Sequence, residues 1–180
     1  MMKLQRTINN HIRDNNFYKL ISSYYGIDCT NRSQIPLMNH IDEGILILED
    51  LNADYNAIIA YCIHPLCQSD DMLVNYFLKN GIYNQIQPNI LLLALEYRKT
   101  ANSYLHHNLD VIRPSDVIRL SPLDDVNNML IADKIQNYKD FLIYHYGTHE
   151  QSDKLNQYFI NWLTALGVYS NFEYYKNLLK

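Results

Sequence analysis

The sequence is poor in residues that interrupt helices and in cysteine. Its 180 residues include only five glycines and five prolines, so there are few positions for long loops or tight turns. The three cysteines, Cys29, Cys62 and Cys67, are odd in number and form no C-x-x-C pair. We therefore expect no disulfide framework. We expect instead that the protein is located in the cytoplasm, where cysteines stay reduced.

Several other sequence features are also absent, and each absence argues against a class of function. No apolar run approaches the ~20 residues that a membrane-spanning helix needs, and the N-terminal stretch has no apolar signal core, so no membrane partner is expected. The formal net charge is -4 without blocks of like charge, which argues against nucleic acid as the main ligand. The phosphate-loop, G-x-S-x-G and H-E-x-x-H motifs are missing. Nothing in the sequence predicts an oligomer or a protein partner.

Hydrophobic residues make up 48% of the chain and recur at helical spacing, and no stretch alternates with the period of a strand. The pattern predicts an all-α single domain over residues 1–180, a bundle of roughly seven or eight helices. The expected helices cover about 4–25 (ending near Gly26), 40–51, 55–64 (ended or kinked by Pro65), 69–80 and 89–106, then one between Pro122 and Gly147, one with a Thr148–Gln151 capping box, and a short one with a Ser170–Glu173 capping box.

One helix carries a polar interruption in an otherwise apolar stripe. In the stretch LIADKIQNYKDF, residues at helical spacing are Val126, Leu130, Asp133, Asn137 and Phe141. A buried carboxylate is costly unless it is hydrogen-bonded, paired or bound to a metal, so Asp133 needs a partner. The neighbouring Lys134 and Lys139 are expected to be solvated.

Three positions could supply metal ligands: His40 at a helix start, His64 at a helix end, and Asp133. Imidazole and carboxylate suit zinc or a divalent transition metal, and helices can bring distant ligands together. Taken singly, each histidine is more often a structural residue. A hydrogen-bonding role for Asp133 is an equal alternative.

The order of these residues resembles the HD-domain phosphohydrolase superfamily. The stretch L-I-A-D-K-x-x-N around Asp133 is similar to the last motif of the RelA/SpoT-type guanosine polyphosphate hydrolases, which include a small metazoan homologue. The segment LNQYFINWLTAL is similar to the closing helix of that branch. The resemblance covers about residues 30–167, leaving an N-terminal helix (1–26) and a C-terminal helix (168–180). It implies a metal site of His40, His64 and Asp133.

The second motif departs from the family pattern of His-Asp followed two residues later by Glu-Asp. Here Pro65 follows His64, and Gln68 and Ser69 replace the acidic pair. Proline supplies no ligand atom and glutamine cannot accept a proton as a carboxylate does. The resemblance therefore implies a weakened site for manganese, zinc or iron, or no metal. Asp70 or Asp71 could turn inward as catalytic carboxylates; the alternative is that both stabilise a helix N-terminus.

The substrate-facing positions of the family are better preserved. By resemblance Asn137 would face a nucleotide, and Arg32 lies near the place of a basic nucleotide contact. Arg98 and Asn102, on a helix that would pass the site, could meet phosphate or ribose groups. An ion pair between Arg98 and Asp133 is an equal alternative.

The chain also resembles HD-like proteins of tailed bacteriophages, which would place it in a host cytoplasm. This resemblance rests on three stretches in combination: H-P, E-Y-R-x-x-A-N-x-Y-L and A-D-K-x-Q-N-x-K-D-F. Three functions follow as expectations. The first is a degenerate HD-domain protein that binds a phosphorylated, alarmone- or signal-like nucleotide with little or no hydrolysis. The second is a metal-dependent nucleotide phosphohydrolase or pyrophosphohydrolase with an altered site. The third is a non-catalytic interaction protein with a vestigial pocket. The joint loss of three acidic positions favours the first over the second.

Overall fold

Helices form nearly all of the regular structure in the computed structural model, which describes residues 8–31, 33–107, 112–148 and 150–179. Over these residues the backbone forms no strand, only an isolated bridge between Cys29 and Pro36. The all-α prediction, with seven or eight α-helices, is confirmed. The helices are α1 (Asn10–Arg13), α2 (Asn16–Tyr25), α3 (Met38–Asp50), α4 (Tyr55–Gln68), α5 (Pro88–His107), α6 (Asp124–Tyr144), α7 (Ser152–Ala165) and α8 (Phe172–Leu178), with a π-helix at Met72–Leu78 and 3-10 turns at Ile82–Gln85 and Tyr169–Asn171.

Two helices, α4 and α6, lie at the centre. α4 packs against α2, α3, α5 and α6, and α6 packs against α3, α5, α7 and α8 as well. Both are therefore buried on several sides, and their apolar side chains join one hydrophobic core. Any polar side chain on these two helices must find its partners inside the protein, because water is excluded there.

Several local predictions are wrong. Pro65 does not end α4, which continues to Gln68, because proline removes only one amide donor and the buried Leu66 and Cys67 hold the last turn in the core. The expected single helix over 4–25 is divided in its described part, because the Asn15 side chain accepts the Phe17 N–H and starts a new helix.

The remaining differences concern helix ends. The predicted helix over 69–80 is the shorter π-helix Met72–Leu78. Neither predicted capping box forms: the Thr148 hydroxyl donates to the His145 carbonyl, and Asn171 rather than Ser170 is the N-cap of α8. The Thr148 hydroxyl thus satisfies a turn carbonyl, and the Ser170 hydroxyl donates to the Asn171 side-chain oxygen. Among the described helices none is long and apolar enough to cross a bilayer.

Gly44 lets α3 approach α4 closely. A Cβ atom built at Gly44 would overlap the ring and hydroxyl of Tyr61, whose side chain is fully buried. Tyr61 lies beside the histidine at the start of α3, with its ring centroid 5.7 Å from that of His40. The absence of a side chain at position 44 therefore sets the position of an aromatic ring beneath this histidine.

The change Gly44→Ala should lower the free energy of unfolding by about 1–3 kcal/mol, because the added methyl group overpacks against Tyr61. This loss would outweigh the ~1 kcal/mol by which alanine is the better helix former. Urea unfolding of both proteins measures the difference. Ser23→Ala, at an exposed position of α2, is the control and should cost nothing. An alanine variant as stable as the parent would contradict the packing of Tyr61 on α3.

Candidate metal centre

His40, His64 and Asp133 meet where α3, α4 and α6 converge, and their ligand atoms all lie within 4.8 Å of one another. The Nε2 atoms of His40 and His64 are 3.3 Å apart, and the Asp133 Oδ1 lies 3.5 Å from His40 Nε2. Three residues far apart in the chain thus form one cluster that could hold a metal ion. His64 and Asp133 are buried, and His40 is partly so.

The hydrogen bonds of the two histidines indicate which ring nitrogens carry hydrogen. Gln136 donates through Nε2 to Glu43 and Asp140, which turns its Oε1 towards His40 Nδ1 at 2.7 Å. The His64 Nδ1 lies 2.6 Å from the Tyr61 carbonyl oxygen, which can only accept. Both Nδ1 atoms are therefore donors, and in the neutral rings both Nε2 lone pairs point into the gap between the histidines.

This arrangement fits a bound cation. Two lone pairs at 3.3 Å repel each other unless a proton or a metal ion lies between them. Two ligands at about 2.0–2.1 Å from a tetrahedral zinc ion are roughly 3.3–3.4 Å apart. Metal-binding histidines also typically donate their second N–H to a carbonyl or a carboxylate-linked group, as both rings do here. The Tyr61 hydroxyl lies 3.4 Å from His40 Nε2 and donates to the His40 carbonyl oxygen at 3.3 Å.

Asp133 is held in its ionised form. Burial alone would raise its pKa, but the Lys134 ammonium and the two imidazoles lower it to about 2. Lys134 Nζ lies 2.8 Å from Oδ2, and the Asn137 amide donates to Oδ1 at 2.9 Å. Burial, followed by the proximity of His40, lowers the pKa of His64 to about 3, so its ring is neutral at pH 7. Both groups are in the state that metal binding requires.

The expectation that Lys134 and Lys139 are solvated is wrong. They are 6% and 7% exposed, because α6 is covered on several sides. Lys134 lies over the rings of Tyr158 and Trp162, at 5.6 and 5.2 Å from their centroids. Its pKa would fall through burial but is raised by the Asp133 carboxylate, so the pair stays charged.

Lys139 belongs to a second buried network behind His40. Its ammonium pairs with the carboxylates of Glu43 and Asp140. These are the two carboxylates that orient the Gln136 amide, so the network fixes the ring of His40 from the side away from the gap. Gln136 was not predicted as a site residue, because it lies next to the helix stripe that contains Asp133 and Asn137 and not on it. Its polar character on a buried helix was the available signal.

The three candidate ligands line a cavity of about 470 Å³. Five amide side chains are among its lining residues, together with the rings of Tyr97 and Tyr158. Burial, followed by the charge of Asp133, raises the pKa of Tyr97, which keeps its hydroxyl protonated. The amide-bearing lining residues are Asn39, Gln68, Asn102, Gln136 and Asn137.

The predicted substrate contacts are only partly brought together. Asn102 and Asn137 line the cavity, although the Asn137 amide nitrogen is engaged by Asp133 and that of Asn102 donates to the Gln68 carbonyl. Arg98 does not line it: the guanidinium pairs with Asp70 and not with Asp133, so the alternative pairing is wrong. Arg32 lies outside the described residues.

The two possible catalytic carboxylates do not turn inward. The Asp70 side chain is 92% exposed and is held outside by Arg98. Asp71 is exposed and accepts a hydrogen bond from Asn75 one helical turn later. Their position at the surface leaves Asp133 and Asp140 as the carboxylates among the described residues that line the cavity.

No family model, curated protein or solved structure compared with the chain matches it. The HD-domain resemblance therefore stays a hypothesis, resting on the quoted motif residues.

The change Asp133→Ala should destabilise the metal-free protein by about 3–5 kcal/mol, because it leaves the Lys134 ammonium buried without its carboxylate. Adding Lys134→Met should restore much of the loss, since no unpaired charge then remains. Urea unfolding of both single variants and the double variant forms a double-mutant cycle. A double variant whose loss equals the sum of the two single losses would show that the two charges are not coupled.

Proposed function

We propose that this chain is a degenerate HD-domain protein that holds a divalent metal ion at His40, His64 and Asp133 and binds a phosphorylated nucleotide over it, with little or no hydrolysis. The observation that carries the proposal is the facing pair of Nε2 lone pairs, with both Nδ1–H groups already engaged elsewhere. Zinc, manganese and iron all accept such ligands.

The adjoining cavity supports a small anionic ligand. Its volume of about 470 Å³ lies within the range of small-molecule pockets, ~300–1,000 Å³. A divalent ion and the Lys134 ammonium together carry more positive charge than Asp133 neutralises. The part of the cavity wall formed by these groups would therefore attract phosphate. Amide and tyrosine side chains on the walls suit a base and a ribose. We therefore favour a nucleotide of the signal or alarmone class.

We expect no efficient turnover, because no described residue at the cavity offers a carboxylate that is free to accept a proton. Hydrolysis needs a group that takes the proton of a metal-bound water. Pro65 and Gln68 stand at the family's acidic positions and offer no such group. Asp140 lines the cavity, but it already accepts from Gln136 and pairs with Lys139.

One observation favours the hydrolase as a second candidate. Three protein ligands leave coordination positions open, as catalytic metal sites do, and here the ligands line a cavity. Asp140 would then be the base if a substrate displaced its partners. The interaction protein with a vestigial pocket is the third candidate, and it requires neither metal nor nucleotide.

Protein freed of metal by a chelator should bind one Zn²⁺ or Mn²⁺ per chain in a calorimetric titration. His40→Ala and His64→Ala should each weaken this binding at least tenfold, because each removes one of three ligands. His11→Ala is the matched control, since His11 is exposed and outside the cavity, and its affinity should be unchanged. Absence of binding, or an equal loss in the control, contradicts the metal site.

Metal-loaded protein should show a higher melting temperature with guanine or adenine nucleotides, with a larger shift for polyphosphates than for nucleosides. Asn102→Ala, at the cavity wall, should reduce the shift. A flat response across all nucleotides with metal bound would favour the interaction protein. Stoichiometric release of phosphate or pyrophosphate in the same samples would favour the hydrolase.

A further inference from the structure

The hydrogen bonding of α4 changes at Pro65. In an α-helix each N–H donates to the carbonyl four residues earlier, so an amide at position 65 would donate to the Tyr61 carbonyl. Proline has no N–H and leaves that carbonyl without its helical donor. Tyr61 is fully buried, so water does not replace the donor. A buried carbonyl in this position needs another partner.

The partner is the ring of His64. Its Nδ1 lies 2.6 Å from the Tyr61 carbonyl oxygen, so the imidazole occupies the acceptor that Pro65 leaves vacant. The same bond fixes the hydrogen on Nδ1 and leaves Nε2 bare, 3.3 Å from the Nε2 of His40. The proline and the tautomer of the neighbouring histidine are linked through one carbonyl.

We propose that Pro65 is a positioning residue of the metal centre: by removing one helix amide it gives the Tyr61 carbonyl to the His64 Nδ1–H and fixes the tautomer that presents Nε2. This inference rests on the proposed metal site and assigns the H-P pair a role of its own. The proline supplies no ligand atom, yet it determines which nitrogen of His64 is available as a ligand. It acts through the ring of the preceding residue and not by contact with the ion.

A residue with an amide at position 65 would compete for the same oxygen. A carbonyl oxygen has two lone pairs, so the restored amide weakens the imidazole bond and does not abolish it. The ring then samples the tautomer with Nε2–H, which cannot bind a metal through Nε2. Loss of such an outer partner typically reduces metal affinity 10- to 100-fold.

The test is Pro65→Ala, because a purely structural role and a positioning role predict different results. Alanine is the better residue inside a helix, so the melting temperature should be unchanged or higher. The affinity for Zn²⁺ should nevertheless fall about tenfold. Pro88→Ala is the matched control: this proline is exposed in the first turn of α5, where a new amide has no helical acceptor, and metal affinity should not change.

The tautomer itself is read from the ¹⁵N signals of the imidazoles in metal-free protein at pH 7.5. His64 should be in the Nδ1–H form in the parent and should gain Nε2–H population in the variant, with His11 as internal reference. Unchanged tautomer and unchanged Zn²⁺ affinity in Pro65→Ala would overturn the inference. A parent protein that binds no metal overturns the proposed function, while the NMR comparison still decides the role of Pro65. Pro65→Gln, which also restores the amide, gives the same comparison if the alanine variant does not fold.

Discussion

The constraint on which the structure depends is the burial of α6 on several sides. A helix in this position cannot leave a charge without a partner, and α6 places Asp133, Lys134 and Lys139 in the interior. Each is neutralised by a specific neighbour, and these neighbours come from α3 and from α6 itself. The candidate metal centre is thus part of a larger set of buried polar contacts that fixes how α3, α4 and α6 pack.

The polar contacts on the two sides of His40 differ, and the difference bears on metal binding. On one side of His40, Gln136 and two carboxylates orient the ring; on the other, the Nε2 atom faces His64 across a short gap. Both Nδ1 atoms are engaged outside the gap, and inside it the Nε2 acceptors of the two rings meet beside the Asp133 Oδ1. A structural pair of histidines would have one ring donate to the other, which the engaged Nδ1 atoms prevent in the neutral forms.

Much of the fold could be predicted from the sequence, because helical periodicity and the scarcity of glycine and proline determine the class. The cluster of His40, His64 and Asp133 was also predictable from residue types and order. The partners were not. Lys134 seemed solvated because a lysine is normally exposed, and only the packing of α7 over α6 shows that it is buried. The pairing of Arg98 with Asp70 depends on where the turn after α4 places a surface carboxylate, which spacing along one helix cannot reveal.

Gly44 has a consequence for recognising relatives of this chain. Because a single methyl group at position 44 would overlap the ring of Tyr61, a larger residue at position 44 disfavours a large ring at position 61. Relatives that enlarge the first should reduce the second, and the pair should covary even where the H-P step has changed. A pair of positions that compensate each other in volume, next to the two histidines, would be a sequence signature of the contact between α3 and α4. Relatives could be recognised by this pair even if they lack the acidic motif and the candidate metal ligands.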